Sequence, residues 1–61
     1  MIENRFGDKV SRILGKVHES GLLLVEMDSN KKRVQIHVSD LKATNGIEEI
    51  QQALKEIGQE L

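Results

Sequence analysis

The stretch of residues 21–38 places the strongest constraint on what this chain can form. Residues 22–27 are apolar apart from Glu26. A polar segment, 28–32, leads into residues 33–38, where polar and apolar side chains alternate. An apolar run and a run of period two, joined by turn-forming residues, are typical of a β-hairpin. Because its first segment is apolar on both faces, we expect that strand to lie in the middle of a sheet.

Residues 9–19 read as a strand with a defect near Gly15. Val10 and Leu14 share one phase of the alternation, while Ile13 and Val17 share the other. A glycine inside a strand pattern indicates a bulge or a sharp bend. We predict one bent strand or two short strands here. For the residues before this strand we predict a partly ordered lead-in, whose phenylalanine covers an end of the core.

The last part of the chain, residues 45–60, predicts a helix. Its apolar residues recur at spacings of three, four, three and four: Ile47, Ile50, Leu54, Ile57 and Leu61. This period is typical of an amphipathic helix and also of a coiled-coil seam. The helix therefore packs either on its own sheet or against a second copy. Asn45 is the predicted N-cap, with Glu48 three residues later at the capping-box position.

These patterns together predict an α+β fold in one domain, residues 1–61. A small bent antiparallel sheet of three to four strands occupies residues 7–42, and a C-terminal amphipathic helix follows. A chain of 61 residues is only marginally stable alone, and small domains compensate with disulfides, metals or self-association. There is no cysteine, so disulfides are excluded. Self-association and a compact monomer both stay open.

Composition excludes several classes of function. No apolar run approaches the roughly 20 residues of a membrane span, and no apolar leader is present, so we expect a cytoplasmic protein without membrane contact. Two histidines make no convincing metal site, so no metal and no cofactor are expected. No phosphate-binding loop or nucleophile motif is present, so we expect neither an enzyme nor a small-molecule substrate.

Four segments resemble those of a small SH3-like barrel. They are Gly7-Asp8-Lys9-Val10, Leu14-Gly15-Lys16-Val17, Leu23-Leu24-Val25-Glu26-Met27-Asp28 and Val34-Gln35-Ile36-His37-Val38-Ser39-Asp40-Leu41. In that family "GDxV" opens the first strand, "GxV" opens the second, and a segment ending in Asp-Leu closes the barrel through a short 3₁₀ turn. The resemblance implies a barrel and, for bacterial members, nucleic-acid or ribosome association. The order of strands before a helix is also similar to arm-type DNA-binding domains of transposon integrases.

A basic sheet face is the first candidate functional surface. Residues 1–42 carry eight Lys or Arg against six Asp or Glu, whereas residues 43–61 carry one Lys against four Glu. A face of this kind neutralises phosphates and offers Arg and Gln to base edges, so DNA or RNA is a candidate partner. The candidate residues are Arg12, Lys16, His18, Lys31, Lys32, Arg33, Gln35 and His37. An ordinary solvated face is the competing interpretation, because acidic residues lie nearby and the net charge is −1.

An apolar surface is the second candidate. If the helix covers one face of the sheet, half of the apolar residues in 22–27 face outward, and an exposed apolar patch marks a partner surface. The candidate residues are Leu14, Leu22, Leu24, Ala53, Leu54, Ile57 and Leu61. We therefore expect a non-enzymatic interaction module that forms a homo-oligomer, most simply a dimer, and binds a macromolecular partner. A nucleic-acid-binding module is the alternative.

Overall fold

A computed structural model describes all 61 residues, Met1–Leu61. The chain forms five strands, a one-turn 3₁₀ helix and a C-terminal α-helix. In chain order these are β1 (Ile2–Asn4), β2 (Lys9–Val17), β3 (Leu22–Met27), β4 (Arg33–His37), the 3₁₀ helix Val38–Asp40, β5 (Leu41–Ala43) and α1 (Ile47–Glu56).

All five strands belong to one antiparallel sheet in the order β4-β3-β2-β1-β5. The predicted α+β class and the predicted hairpin of β3 and β4 are confirmed, and β3 lies between two neighbours as expected. The sheet has one strand more than the upper bound of the prediction, because the three-residue strands β1 and β5 pair mainly with each other. This order, with a 3₁₀ turn between β4 and β5, is compatible with a small SH3-like fold.

Strand β2 contains the predicted defect. Its register against β3 shifts twice, once between Val10 and Arg12 and once between Ile13 and Gly15. Each shift leaves one residue of β2 without a cross-strand partner on β3, and this bends the strand and increases its twist. The second shift explains why the apolar phase is ambiguous at Leu14, since the alternation of faces restarts after the extra residue.

The core lies between one face of the sheet and the helix. It consists of nine buried apolar residues: Ile2, Val10, Ile13, Leu23, Val25, Met27, Leu41, Ile50 and Leu54. The helix contributes two of them, spaced four residues apart on one face. The helix therefore packs on its own sheet, which was the first of the two predicted placements. No helix in this chain has both the length and the apolarity needed to cross a membrane.

The start of the helix corrects the predicted cap. Gly46, with a φ of 81°, occupies the N-cap position and provides no side-chain hydrogen bond. Asn45 lies one residue before this N-cap. The carboxylate that accepts its backbone amide hydrogen belongs to Glu49 and not to the predicted Glu48. Its Oε1 accepts the amide hydrogen of Asn45 at 3.2 Å. The left-handed glycine delays the first helical residue by one position, and this shifts the capping interaction with it.

The N-terminal segment corrects a second expectation. Residues 2–4 form β1, and Phe6 leaves the core instead of covering it, with 75% of its surface exposed. The guanidinium of Arg5 stacks on the Phe6 ring, 4.8 Å from its centroid. A tight turn between β1 and β2, in which the Asn4 side chain accepts the amide hydrogens of Phe6 and Asp8, directs the ring to the surface.

Candidate interaction surface

The outer face of strands β2–β4 points away from the core. Cross-strand partners in an antiparallel sheet share a face, so the observed register assigns its members. The rows are Arg12–Glu26–Arg33, Gly15–Leu24–Gln35 and Val17–Leu22–His37. The inner face of the same strands carries Leu23 and Val25, which are fully buried. We call this set of three rows the outer face.

Two leucines of β3 lie at the centre of the outer face. Leu22 and Leu24 are half-buried, while the alternate residues of the same strand are buried. The helix packs on the other side of the sheet, and Leu22 lines the groove beside β4 together with Phe6. Leu14, at the second shift of β2, is also half-buried. The outer face therefore combines an apolar middle with polar ends.

The second shift in β2 separates residues that the sequence placed together. Arg12 lies on the outer face, where its Nη2 donates to Glu26 Oε1 at 3.4 Å. Lys16 lies opposite Leu23, on the side that carries the core. The predicted single basic face is therefore wrong for Arg12 and Lys16, which lie on opposite sides of the sheet because the extra residue at Leu14 reverses the alternation. His18 lies in the turn after β2, with a φ of 51°.

The remaining basic candidates collect at the far end of β3. Lys31 and Lys32 occupy the β3–β4 loop, and Arg33 begins β4. Lys31, with a φ of 59°, pairs with Asp28 at 3.4 Å. Since β3 has six residues, this end lies roughly 17 Å from the turn that holds His18. Arg12, Lys31, Lys32 and Arg33 thus lie at one end of the sheet and His18 and His37 at the other. Gln35 lies in the row between the two ends, and Lys16 lies on the core side.

His37 closes the other end of β4. Its Nδ1 atom accepts the amide hydrogen of Ser39 at 3.2 Å, which caps the 3₁₀ helix. Its Nε2 side lies over Gly21, which occupies the left-handed region with a φ of 81°. The chain has no group of three or more His, Cys, Asp or Glu side chains placed to hold a metal ion.

Strand β4 forms one edge of the sheet, and its outward backbone groups are unpaired. The Met27 amide donates to the Lys32 carbonyl, and the Val38 amide donates to the Gly21 carbonyl, both at 2.9 Å. Hydrogen-bonded pairs alternate along an antiparallel ladder, so even-numbered residues of β4 bond inward to β3. The amide and carbonyl groups of Arg33 and Gln35 therefore point away from the sheet. We call this side of the strand the β4 edge.

Apolar side chains accompany the β4 edge on the core side of the sheet. Val34 is 38% exposed, and Ile36 is only half-buried. Sequence reasoning recognised the alternation in this strand but not its position at an edge, since nothing in a period-two pattern tells an edge strand from a central one. The strand contains no proline and no bulge, and the one Lys or Arg within it, Arg33, is its first residue.

The candidate interface residues of the C-terminal part, 53–61, divide between the core and the surface. Leu54 is completely buried, and Ala53 is half-buried against the core. Leu54 thus contributes no surface to a folded subunit. Ile57 and Leu61 remain 44% and 47% exposed. The two exposed residues follow the helix, which ends at Glu56.

Gln59 is a positioning residue that sequence reasoning missed. Its Oε1 accepts the amide hydrogen of Lys16 at 2.6 Å, across 43 residues of sequence. Its amide group also lies over Gly15, so that a Cβ added there would come within 3.2 Å of it. Gln59 thereby occupies one unpaired donor of β2 and ties the end of the helix to the bent strand. A polar residue near a helix end carries no sequence signal for this contact.

Two surface grooves flank the sheet. One, of about 990 Å³, separates α1 from β2 and has Glu48 and Glu56 on its helix wall and Lys9 and Arg12 on its strand wall. The other, of about 450 Å³, lies beside β4, where Phe6 meets residues of the outer face and the 3₁₀ helix.

The pKa of the Glu49 carboxyl is lowered from its ordinary value. The amino group of Met1 donates to Glu49 Oε2 at 2.7 Å, and the amide of Asn45 donates to Oε1. These two hydrogen bonds, led by the one from the amino terminus, lower the pKa of the Glu49 carboxyl. Both favour the ionised form, so the carboxylate anchors the first residue of the chain to the first turn of the helix.

No protein-family model, no curated protein and no solved structure matches this chain.

Proposed function

We propose that this chain is a non-enzymatic interaction module with a small SH3-like fold, which associates with a second copy of itself and binds a macromolecular partner. The observation that carries the proposal is the β4 edge. Its outward amide and carbonyl groups have no hydrogen-bond partner in the subunit. Such an edge is a template for pairing with another strand.

The outer face supports the second half of the proposal. Leu22 and Leu24 supply apolar area at its centre, while Arg33, Gln35 and His37 supply polar groups along one side. Interfaces commonly combine an apolar centre with a polar rim. In addition, the core of nine residues is small, so burial of further apolar surface in an assembly stabilises the fold.

The concentration dependence of mass tests the proposal. Sedimentation equilibrium from about 1 µM to about 1 mM, spanning the affinities of weak and moderate complexes, should show the mass rising above the 6.9 kDa of one chain. A mass that stays at one chain throughout this range contradicts self-association. A Leu24→Ser variant should still self-associate if β4 carries the assembly, which separates the outer face from the edge.

Binding of nucleic acid is the second candidate. Lys32 and Arg33 lie beside each other at one end of the sheet and take no part in the three ion pairs of the subunit. Phosphate contacts of this kind are sensitive to salt. Titration of a fluorescent DNA duplex at low salt, with wild type and a Lys32→Gln/Arg33→Gln variant, tests this function. Equal binding by both proteins, or no binding, contradicts it.

A further inference from the structure

We propose that two copies of the chain join through antiparallel pairing of their β4 strands, about a two-fold axis that passes beside Gln35. The two five-stranded sheets then become one continuous sheet. This inference rests on the proposed self-association and adds to it the surface, the register and the symmetry of the contact. It also identifies the occupant of the β4 edge as a second copy of the same strand.

The backbone pattern of β4 selects this register. The outward amide and carbonyl groups belong to odd-numbered residues of β4, so odd residues of one copy must face odd residues of the other. Centring the pairing on Gln35 places Gln35 opposite its own equivalent and Arg33 opposite His37 of the second copy. This register uses every odd residue of the strand, and shifting it by two residues leaves part of the edge unpaired.

The side chains on the core side agree with the same register. Val34 of one copy falls opposite Ile36 of the other, at a pair without mutual hydrogen bonds, where opposed side chains approach most closely. Both residues are incompletely buried in one subunit. The pairing therefore covers, on both sides of the axis, the apolar residues that the edge position leaves exposed.

Charge is complementary along the strand. Lys32 and Arg33 lie at its beginning and Asp40 lies beyond its end, and none of the three forms an ion pair within the subunit. Antiparallel pairing brings the basic end of each copy beside the acidic end of the other. In this register Arg33 faces the His37 ring of the second copy, and that ring accepts the Ser39 amide hydrogen through Nδ1 within its own subunit.

A cysteine at the symmetry axis tests the register directly. The chain contains no cysteine, so a Gln35→Cys variant has a single thiol. In a hydrogen-bonded antiparallel pair the two Cα atoms are about 5.5 Å apart, which a disulfide can bridge. Mild oxidation should convert this variant to a covalent dimer at least about tenfold faster than a Gln52→Cys control, whose thiol lies on the exposed side of the helix.

A proline at the same position tests the hydrogen bonds. Because the Gln35 amide points away from the sheet, Gln35→Pro removes no bond within the subunit, and proline is tolerated at an edge with this orientation. We expect an unchanged far-ultraviolet circular dichroism spectrum and at least about tenfold weaker dimerisation. If this variant does not fold, Val34→Lys provides the same test, since a charge on the edge opposes pairing.

The outcomes separate this inference from the proposed function. If wild type dimerises but Gln35→Cys cross-links no faster than the control, the copies meet elsewhere, and the inference is overturned while self-association stands. Fast cross-linking of Ile57→Cys instead would identify the end of the helix as the interface. If wild type is monomeric at every concentration, both fail. A charge swap, Lys32→Glu with Asp40→Lys, should recover the roughly twofold to fivefold loss that each single change causes.

Discussion

Gln59 links the C-terminal end of the helix to the bend in β2, and a double-mutant cycle measures that link. The cycle uses Gly15→Ala, Gln59→Ala and the combination of both. Gly15 lies outside the left-handed region of φ, so alanine adopts its backbone conformation without strain. The atoms nearest to the new Cβ belong to the Gln59 amide, at 3.2 Å, which is the far end of a flexible side chain.

The expected free energies follow from these contacts. With Gln59 present, Gly15→Ala displaces the amide and breaks its bond to the Lys16 amide hydrogen, a loss of about 1–2 kcal/mol for a part-buried donor. The gain from a stiffer unfolded chain is about 0.5–1 kcal/mol. Gly15→Ala should therefore destabilise the wild type by about 0.5–1 kcal/mol. In the Gln59→Ala background the obstacle is absent, and the same change should stabilise by about 0.5 kcal/mol.

Urea unfolding followed by far-ultraviolet circular dichroism gives the four free energies. The chain has no Trp or Tyr, so intrinsic fluorescence is not a useful signal. Measurements belong at low micromolar protein, where dimerisation contributes least. The cycle should give a coupling of about 1 kcal/mol between Gly15 and Gln59. Additivity within about 0.5 kcal/mol, the value for independent sites, would refute the role assigned to Gln59.

Three further predictions follow from single contacts. Gly21→Ala should destabilise by at least about 2 kcal/mol in urea unfolding, because it combines left-handed strain with a Cβ only 2.6 Å from Nε2 of the His37 ring. Leu54→Ala should lower the free energy of unfolding by about 3–5 kcal/mol. Leu61→Ala, at a residue 47% exposed, should change it by under about 1 kcal/mol. Similar losses for the two variants would contradict the observed packing of the helix. Glu49→Gln should destabilise the fold at neutral pH, because the lowered pKa means that the ionised carboxyl stabilises the folded state. The difference in unfolding free energy between wild type and variant should vanish as pH falls through the folded-state pKa of Glu49. A difference that stays constant with pH would contradict this role of Glu49.

The sequence alone determined the parts that depend on local preference. The hairpin of β3 and β4 follows from a change of period around a polar loop, the defect in β2 follows from the glycine and the broken phase, and α1 follows from apolar spacing. Each of these signals is contained within about 10–18 residues, the range over which backbone geometry and side-chain period act. The central position of β3 was predictable for the same reason.

Only the tertiary structure decided how these parts meet. Strands β1 and β5 are three residues each and exist because they pair with each other across the chain. The shift at Leu14 moved Lys16 to the opposite face from Arg12, and the strand order placed β4 at an edge. The Gln59 side chain accepts a hydrogen bond from the Lys16 amide, 43 residues away in the sequence. Such features depend on hydrogen bonds between distant segments, and no local period encodes which backbone groups remain unpaired after those bonds have formed.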